Sequence, residues 1–156
     1  MLFRSLKATV RAAAPAVPIW TTDFAPSAVV QVGGSTSVEP SVLKGERVLA
    51  VSGIGNPESF RWLLAAVGAT VVDHCVFADH HAYSQDDLGR IRRSAAQAGV
   101  DRIVSTEKDA VKLAQLIQTL SPSEGEGRVR GDIWAVRIDL RWLEGFDEWN
   151  RVVING

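Results

Sequence analysis

Three short runs hold the residue types that do chemistry in this 156-residue chain: Gly53-Ile54-Gly55-Asn56-Pro57, Asp79-His80-His81-Ala82-Tyr83 and Thr106-Glu107-Lys108-Asp109. The first joins a short apolar run to a helix start. Free backbone N–H groups and the helix dipole favour an anion or a polar head group there, and Gly53 and Gly55 permit close approach. The second gathers a carboxylate, two imidazoles and a phenol within five residues. Histidine titrates near neutrality and a neighbouring carboxylate fixes its orientation, so the loop suits proton transfer, with one histidine facing the site. In the third, Glu107 and Asp109 suit the first turn of a helix. Lys108 does not, unless it meets an anion or an acidic partner.

Each run also has a structural reading. Gly-Asn-Pro is ordinary turn and cap chemistry, a solvated polar loop needs no substrate, and Thr106 with alternating charges caps and solubilises a helix. A metal site from Asp79, His80 and His81, with Asp73 or His74, is a further alternative, although consecutive ligands rarely converge on one ion, so the expected metal set is none. Nowhere does the chain contain the GxxxxGK[ST] loop that would hold a nucleoside triphosphate.

The elements that must position these runs follow from periodicity. Val48 to Ser52 is an apolar run bounded by glycine, as expected of a buried parallel strand. Asn56 caps a helix with Pro57 at its first position; Phe60, Leu63, Leu64 and Val67 fall at i, i+3, i+4 and i+7, and Gly68 ends it. Thr70 to Phe77 reads as a second strand, interrupted by Asp73 and His74. Ser84 and Asp87 have the spacing of a capping box, and Leu88, Ile91, Ala95 and Ala98 form a stripe that stops at Gly99. Arg102 to Ser105 is a third strand, followed by a helix through Leu113, Leu116, Ile117 and Leu120. Ser121 to Gly131 reads as a surface loop, Ile133 to Leu140 as a closing strand, and Leu143 to Val153 as a terminal helix or turn. Strands alternating with helices at this rhythm predict an α/β fold: a mainly parallel sheet with helices on both faces, and a site outside the carboxyl ends of the strands.

Before this region the texture differs. Residues 2 to 13 place Leu2, Phe3, Leu6, Val10 and Ala13 at helical spacing with Arg4, Lys7 and Arg11 between them, and no acid precedes Asp23. A docking helix, a membrane-surface helix and a targeting segment all fit this pattern. From Ile19 to Lys44 a linker with one or two short strands, such as Ala28 to Val32, is expected, with Gly33-Gly34-Ser35-Thr36-Ser37 as a turn. The expected division is therefore residues 1–44, an amphipathic helix and linker, and residues 45–156, an α/β domain.

Composition sets bounds. At 46% hydrophobic and 22% charged the chain is globular in type, and at this length roughly 70% of its unfolded surface is buried on folding. Seventeen basic residues against eighteen acidic ones create no global field for nucleic acid or an anionic membrane, so no nucleic-acid partner is expected. The single cysteine, Cys75, lies in an apolar run and reads as core filler. No stretch approaches the roughly 20 apolar residues that span a bilayer.

Read in order, GIGNP, FADHHAY and STEKDAVKL, with Pro18-Ile19-Trp20 upstream, resemble the carboxyl-terminal half of the tetraacyldisaccharide 4'-kinase family, lipid A pathway enzymes of Gram-negative bacteria. The resemblance runs from about Val17 to Val153. It implies an ATP- and magnesium-dependent kinase acting on the 4' position of the lipid A disaccharide precursor at the cytoplasmic face of the inner membrane. It implies two α/β lobes, of which this chain is the second. The other, P-loop-like lobe would be the partner that supplies the phosphate loop, the metal-binding acids and an aspartate base. His80 matches the family's histidine that orients or tunes that base, and Asp79 would hold His80. Gly53, Gly55, Asn56, His81, Thr106 and Lys108 are candidates for substrate or anion binding. On this reading the chain is inactive alone and peripheral to the membrane. The alternatives are a non-catalytic α/β module that binds a ligand or partner, and a metal-dependent hydrolase using the Asp79 to His81 loop.

Overall fold

The computed structural model describes residues 2–118 and 132–154. Its elements are α1 (Leu2–Ala13), β1 (Thr21–Gln31), β2 (Ser37–Val38), a 3-10 turn (Pro40–Leu43), β3 (Arg47–Ser52), α2 (Pro57–Ala66), β4 (Thr70–Val76), α3 (Gln85–Ala98), β5 (Arg102–Thr106), α4 (Glu107–Gln118), β6 (Asp132–Glu144), α5 (Phe146–Trp149) and a π-type turn (Asn150–Ile154). Six strands form one sheet in the order β2-β1-β6-β5-β3-β4. β4, β3, β5 and β6 run parallel, and β2 pairs antiparallel with β1. By contacts the chain forms two compact units, residues 26–138 and residues 1–25 with 139–156.

β3 shows why helices cover both faces. Val48, Leu49, Ala50 and Val51 are all fully buried. Leu49 and Val51 pack with Leu88, Ile91 and Ala95 of α3 and Leu113 of α4. Val48 and Ala50, alternating to the opposite face, pack with Phe60 and Leu64 of α2 and with Val136 of β6. A strand with four consecutive buried apolar residues needs a helix on each side, and the chain supplies them through successive crossovers. From β3 the chain steps outward to β4 by way of α2. It then returns across β3 to β5 by way of α3. The order reverses between β3 and β5, which makes the carboxyl ends of these two strands the switch point where such sheets hold their ligands.

Local chemistry ends the helices as the sequence indicates. Asn56 Oδ1 accepts from Ser59 N at 3.2 Å, with Pro57 in the first turn. Ser84 and Asp87 form a reciprocal capping box at the start of α3, and Gly99 closes it with φ +64°.

Three expectations change. The segment read as a linker with short strands contains the eleven-residue β1. Pro26 obscures it in the sequence, because proline cannot donate to a ladder; β2 pairs only with Val29 and Val30, so Pro26 lies along an otherwise open edge, where proline is tolerated. Second, β6 continues through Leu143 to Glu144, so the terminal helical turn begins at Phe146. Third, the polar interruption of β4 is a bulge. Val48 pairs with Val71 but Leu49 with Asp73, which leaves Val72 as the extra residue and turns Asp73 outward. Gly33-Gly34 forms the β1–β2 turn, with Gln31 N donating to Thr36 O at 2.9 Å. The loop expected from Ser121 to Gly131, and Leu120, lie outside the described residues.

In the unit of residues 1–25 and 139–156, Lys7 of α1 pairs with Glu144. The Trp142 ring meets Phe146 and Trp149 in tilted contacts at ring separations of 5.5 and 5.1 Å. Among the described residues no helix is long and apolar enough to cross a membrane.

His74 ties the edge strand to its neighbour: its Nε2 is hydrogen-bonded to the fully buried Ser52 hydroxyl at 2.9 Å, beside the Phe60 ring. Burial, and then the charge of Arg61, holds its pKa below the ordinary 6.5. The unfolded chain therefore binds more protons than the folded one once the pH falls below about 6.5, and stability declines with acidification. Thermal denaturation from about pH 7 to pH 5 is expected to show a falling midpoint, with a shallower fall in His74→Gln; parallel curves would disprove it.

Candidate active site

All three chemistry-bearing runs sit at the carboxyl ends of β3, β4 and β5, on one rim. Their arrangement is organised by a residue that the sequence marks only as a carboxylate suited to a helix start. Asp109, in the first turn of α4, is fully buried. Its Oδ2 accepts from Gly53 N at 2.9 Å and from Thr106 Oγ1 at 2.6 Å, while Asp109 N donates back to Thr106 Oγ1 at 3.2 Å. Thr106 thus works as a helix cap, and Gly53 spends its N–H on a carboxylate 56 positions away. The Thr-x-x-Asp spacing, the same as in Ser84-x-x-Asp87, is the sequence signal that marks Asp109.

Gly53 is enclosed. A Cβ there would lie 3.0 Å from Asp109 Oδ1, 3.2 Å from the Ala78 carbonyl oxygen and 3.2 Å from the Tyr83 hydroxyl. Three oxygens from two segments, α4 and the loop after β4, crowd the position. Gly55 approaches Asp79, whose Oδ2 would be 3.7 Å from an added Cβ. Asn56 is occupied in capping α2.

The loop after β4 is pinned at nearly every residue but one. Phe77 N donates to Ser52 O at 2.8 Å, and His81 N donates to Ala78 O at 3.1 Å to close a turn. Asp79 Oδ1 accepts from Lys108 Nζ at 2.8 Å and from the His80 backbone N at 3.0 Å. The Lys108 hydrogen bond, more than any other influence, holds the Asp79 carboxyl below the usual carboxylate range. His81 is committed to structure. Its Nε2 lies 3.0 Å from Asp87 Oδ2, its ring meets Phe77 and Tyr83 at 4.8 and 5.1 Å, and its carbonyl accepts from Lys112 Nζ at 2.8 Å. The hydrogen bond from His81 is likewise the main reason the Asp87 carboxyl sits low.

His80 is the exception. Its side chain is 78% exposed, and its Nε2 is 3.8 Å from Asp79 Oδ2, beyond hydrogen-bond range. Its φ of +61° is left-handed, an uncommon conformation for a residue with a Cβ. Asp79 therefore meets the backbone of His80 and the ammonium of Lys108 rather than the imidazole. His80, His81, Tyr83, Lys112 and Gln115 line an open cleft of about 390 Å³. Lys108 stands at the centre of the rim, joining the α4 start to the Asp79 loop.

Comparison with known proteins gives these positions a context. The family description Tetraacyldisaccharide-1-P 4'-kinase matches residues 4–154. The chain belongs to this family. A tetraacyldisaccharide 4'-kinase of Syntrophus aciditrophicus is 39% identical over 106 residues, covering 68% of this chain and 28% of that protein. One from Anaeromyxobacter dehalogenans strain 2CP-C is 34% identical over 143 residues, covering 92% of this chain and 35% of that protein. The chain thus spans about a third of the length of these kinase relatives. A crystal structure of LpxK from Aquifex aeolicus in complex with ATP superposes with a TM-score of 0.54 at 17% identity, over 93% of this chain and 40% of that one. The α/β kinase fold is therefore shared.

Two measurements probe this kinase-family rim. Gly53→Ala must displace a carboxylate, a carbonyl and a phenol together, and is expected to cost about 1–3 kcal/mol in urea denaturation, as overpacking does; a neutral result would mean the enclosure is loose. Carbon NMR titration of Asp79 is expected to give a midpoint below the usual carboxylate value, rising toward about 3.9 in Lys108→Ala. An unchanged midpoint in that variant would remove Lys108 as the cause.

Proposed function

We propose that this chain is the carboxyl-terminal lobe of a tetraacyldisaccharide 4'-kinase, and that His80 orients or tunes the base that accepts the proton of the substrate's 4' hydroxyl during phosphoryl transfer from ATP. The observation that carries this reading is the state of His80 itself. It is the one imidazole on the rim with an exposed ring, it stands beside the switch point of the sheet, and it is held in a left-handed backbone conformation that costs roughly 1–2 kcal/mol for an L-residue. The surrounding loop is braced at Asp79, His81 and Tyr83, which over-determines the backbone and leaves the imidazole free. Asp79 supports His80 through its backbone N–H, and Lys108 fixes Asp79 in turn.

On this reading the described residues of this chain do not themselves hold ATP and magnesium. The sequence lacks GxxxxGK[ST], and among the described residues no three side chains of His, Cys, Asp or Glu gather where a metal ion would sit. ATP and magnesium, on this reading, are held by a P-loop lobe acting as partner, and the chain contributes the His80 rim to the lipid A disaccharide precursor that lies between them. The electrostatic stabilisation of phosphoryl transfer comes mainly from phosphate-loop and metal contacts, so the chain alone does not phosphorylate. A peripheral position on the inner membrane fits α1, whose positive charges lie between apolar residues and whose Leu6 and Val10 are exposed.

The test is a kinase assembled from this chain and the P-loop lobe of a relative. His80→Ala is expected to lower turnover by about 10²- to 10⁴-fold with little change in KM, the range for loss of acid–base assistance. Undiminished turnover would remove His80 from the mechanism, and 4' phosphorylation by the isolated chain would overturn the two-lobe reading.

A further inference from the structure

The rim leaves one buried polar pair unexplained. Tyr83 is 8% exposed and Asp109 is fully buried, yet neither the Tyr83 hydroxyl nor Asp109 Oδ1 has a hydrogen bond of ordinary geometry. Both atoms crowd the same glycine, each within 3.2 Å of where a Gly53 Cβ would stand. A buried donor and a buried acceptor each lose their hydration without compensation when left unpaired, so two such groups at the same glycine have a strong incentive to close on one another. Burial first, and then the Asp109 carboxylate, push the phenol well above its usual range, so it remains a protonated donor at any ordinary pH.

We propose that Tyr83 and Asp109 form a buried latch, the phenol donating to Asp109 Oδ1, that couples the Gly53 loop to the loop carrying His80 and makes both of them positioning residues for His80. Asp109 already holds Gly53 N and Thr106 through its other oxygen, so the latch would join all three rim segments through one carboxylate. Tyr83 ends the His80 loop and is held edge-on by Phe77 and His81, at 5.0 and 5.1 Å. A hydroxyl fixed at Asp109 therefore sets where the turn from Ala78 to His81 stands. The role assigned to His80 rests on the kinase reading; the latch does not.

Tyr83 is the only tyrosine in the chain, so its ionisation can be followed alone by phenolate absorbance. The groups acting on it are Asp109 from α4, Asp87 from α3, Cys75 from β4 and the neighbouring His81 ring, with Lys112 lining the same cleft. Phenolate is expected only well above the free-tyrosine midpoint near 10, and Asp109→Asn is expected to weaken proton binding at least about tenfold. An identical midpoint in wild type and Asp109→Asn would overturn the latch. Should Asp109→Asn fail to fold by circular dichroism, Tyr83→Phe removes only the hydroxyl; faster exchange of the Gly53 amide in that variant supports the latch, and unchanged exchange overturns it. Positioning is read separately, from the His80 imidazole proton resonances in Tyr83→Phe. Displacement with a native spectrum elsewhere supports the coupling, and superimposable His80 signals overturn the positioning role. These readouts use the chain without substrate, so a failed kinase assay would leave them intact.

Discussion

A carboxylate without access to water organises this rim. Removing a carboxylate from water is costly unless its lone pairs are met, and Asp109 offsets part of that cost by accepting from a backbone N–H and a hydroxyl through one oxygen. The two donors come from the ends of different strands. Gly53 follows β3 and Thr106 ends β5, the strands between which the sheet reverses its order. The requirement to satisfy one buried anion thereby fixes the spacing of the switch point, and the crowding at Gly53 limits how either loop can move. The exposed features, including the His80 ring and the Lys108–Asp79 pair, are arranged on that foundation.

Much of this was legible locally. The cap at Asn56, the capping box at Ser84 and the stop at Gly99 are near-neighbour interactions, and their residues announce them. The apolar run in β3 indicated burial on both faces, which is what the two packing clusters show. Asp109 was different. Its Thr-x-x-Asp spacing repeats the Ser-x-x-Asp spacing of α3, and nothing within the turn distinguishes a carboxylate at the edge of solvent from one sealed beneath a glycine brought from far along the chain. The two histidines posed the same problem. Sequence placed them side by side, and only tertiary structure separates them: Asp87 and Lys112 engage His81, while the ring of His80 stays exposed with no hydrogen bond. β1 was hidden by Pro26, whose tolerance depends on how far its two-residue neighbour extends.

The division of labour around Asp79 also refines the picture of a carboxylate steering an adjacent imidazole. The His80 imidazole stands 3.8 Å from Asp79 Oδ2, near enough for its charge to be felt and too far for a hydrogen bond. Asp79 instead stabilises the turn and takes its charge partner from α4. Asp79 thus holds the His80 residue through its backbone N–H, while the ring itself lies exposed.

The margins of the sheet carry a consequence of their own. One border is β2, only two residues long, and the other is β4, where the extra Val72 and the outward Asp73 break the regular row of amide and carbonyl groups. Short borders and charged bulges discourage a stray strand from annealing to a sheet. Along β1 the open edge carries Pro26, which cannot donate to an added strand, and along β4 the bulge interrupts the ladder. The carboxyl ends of the strands, where His80 stands, carry neither of these two edge features.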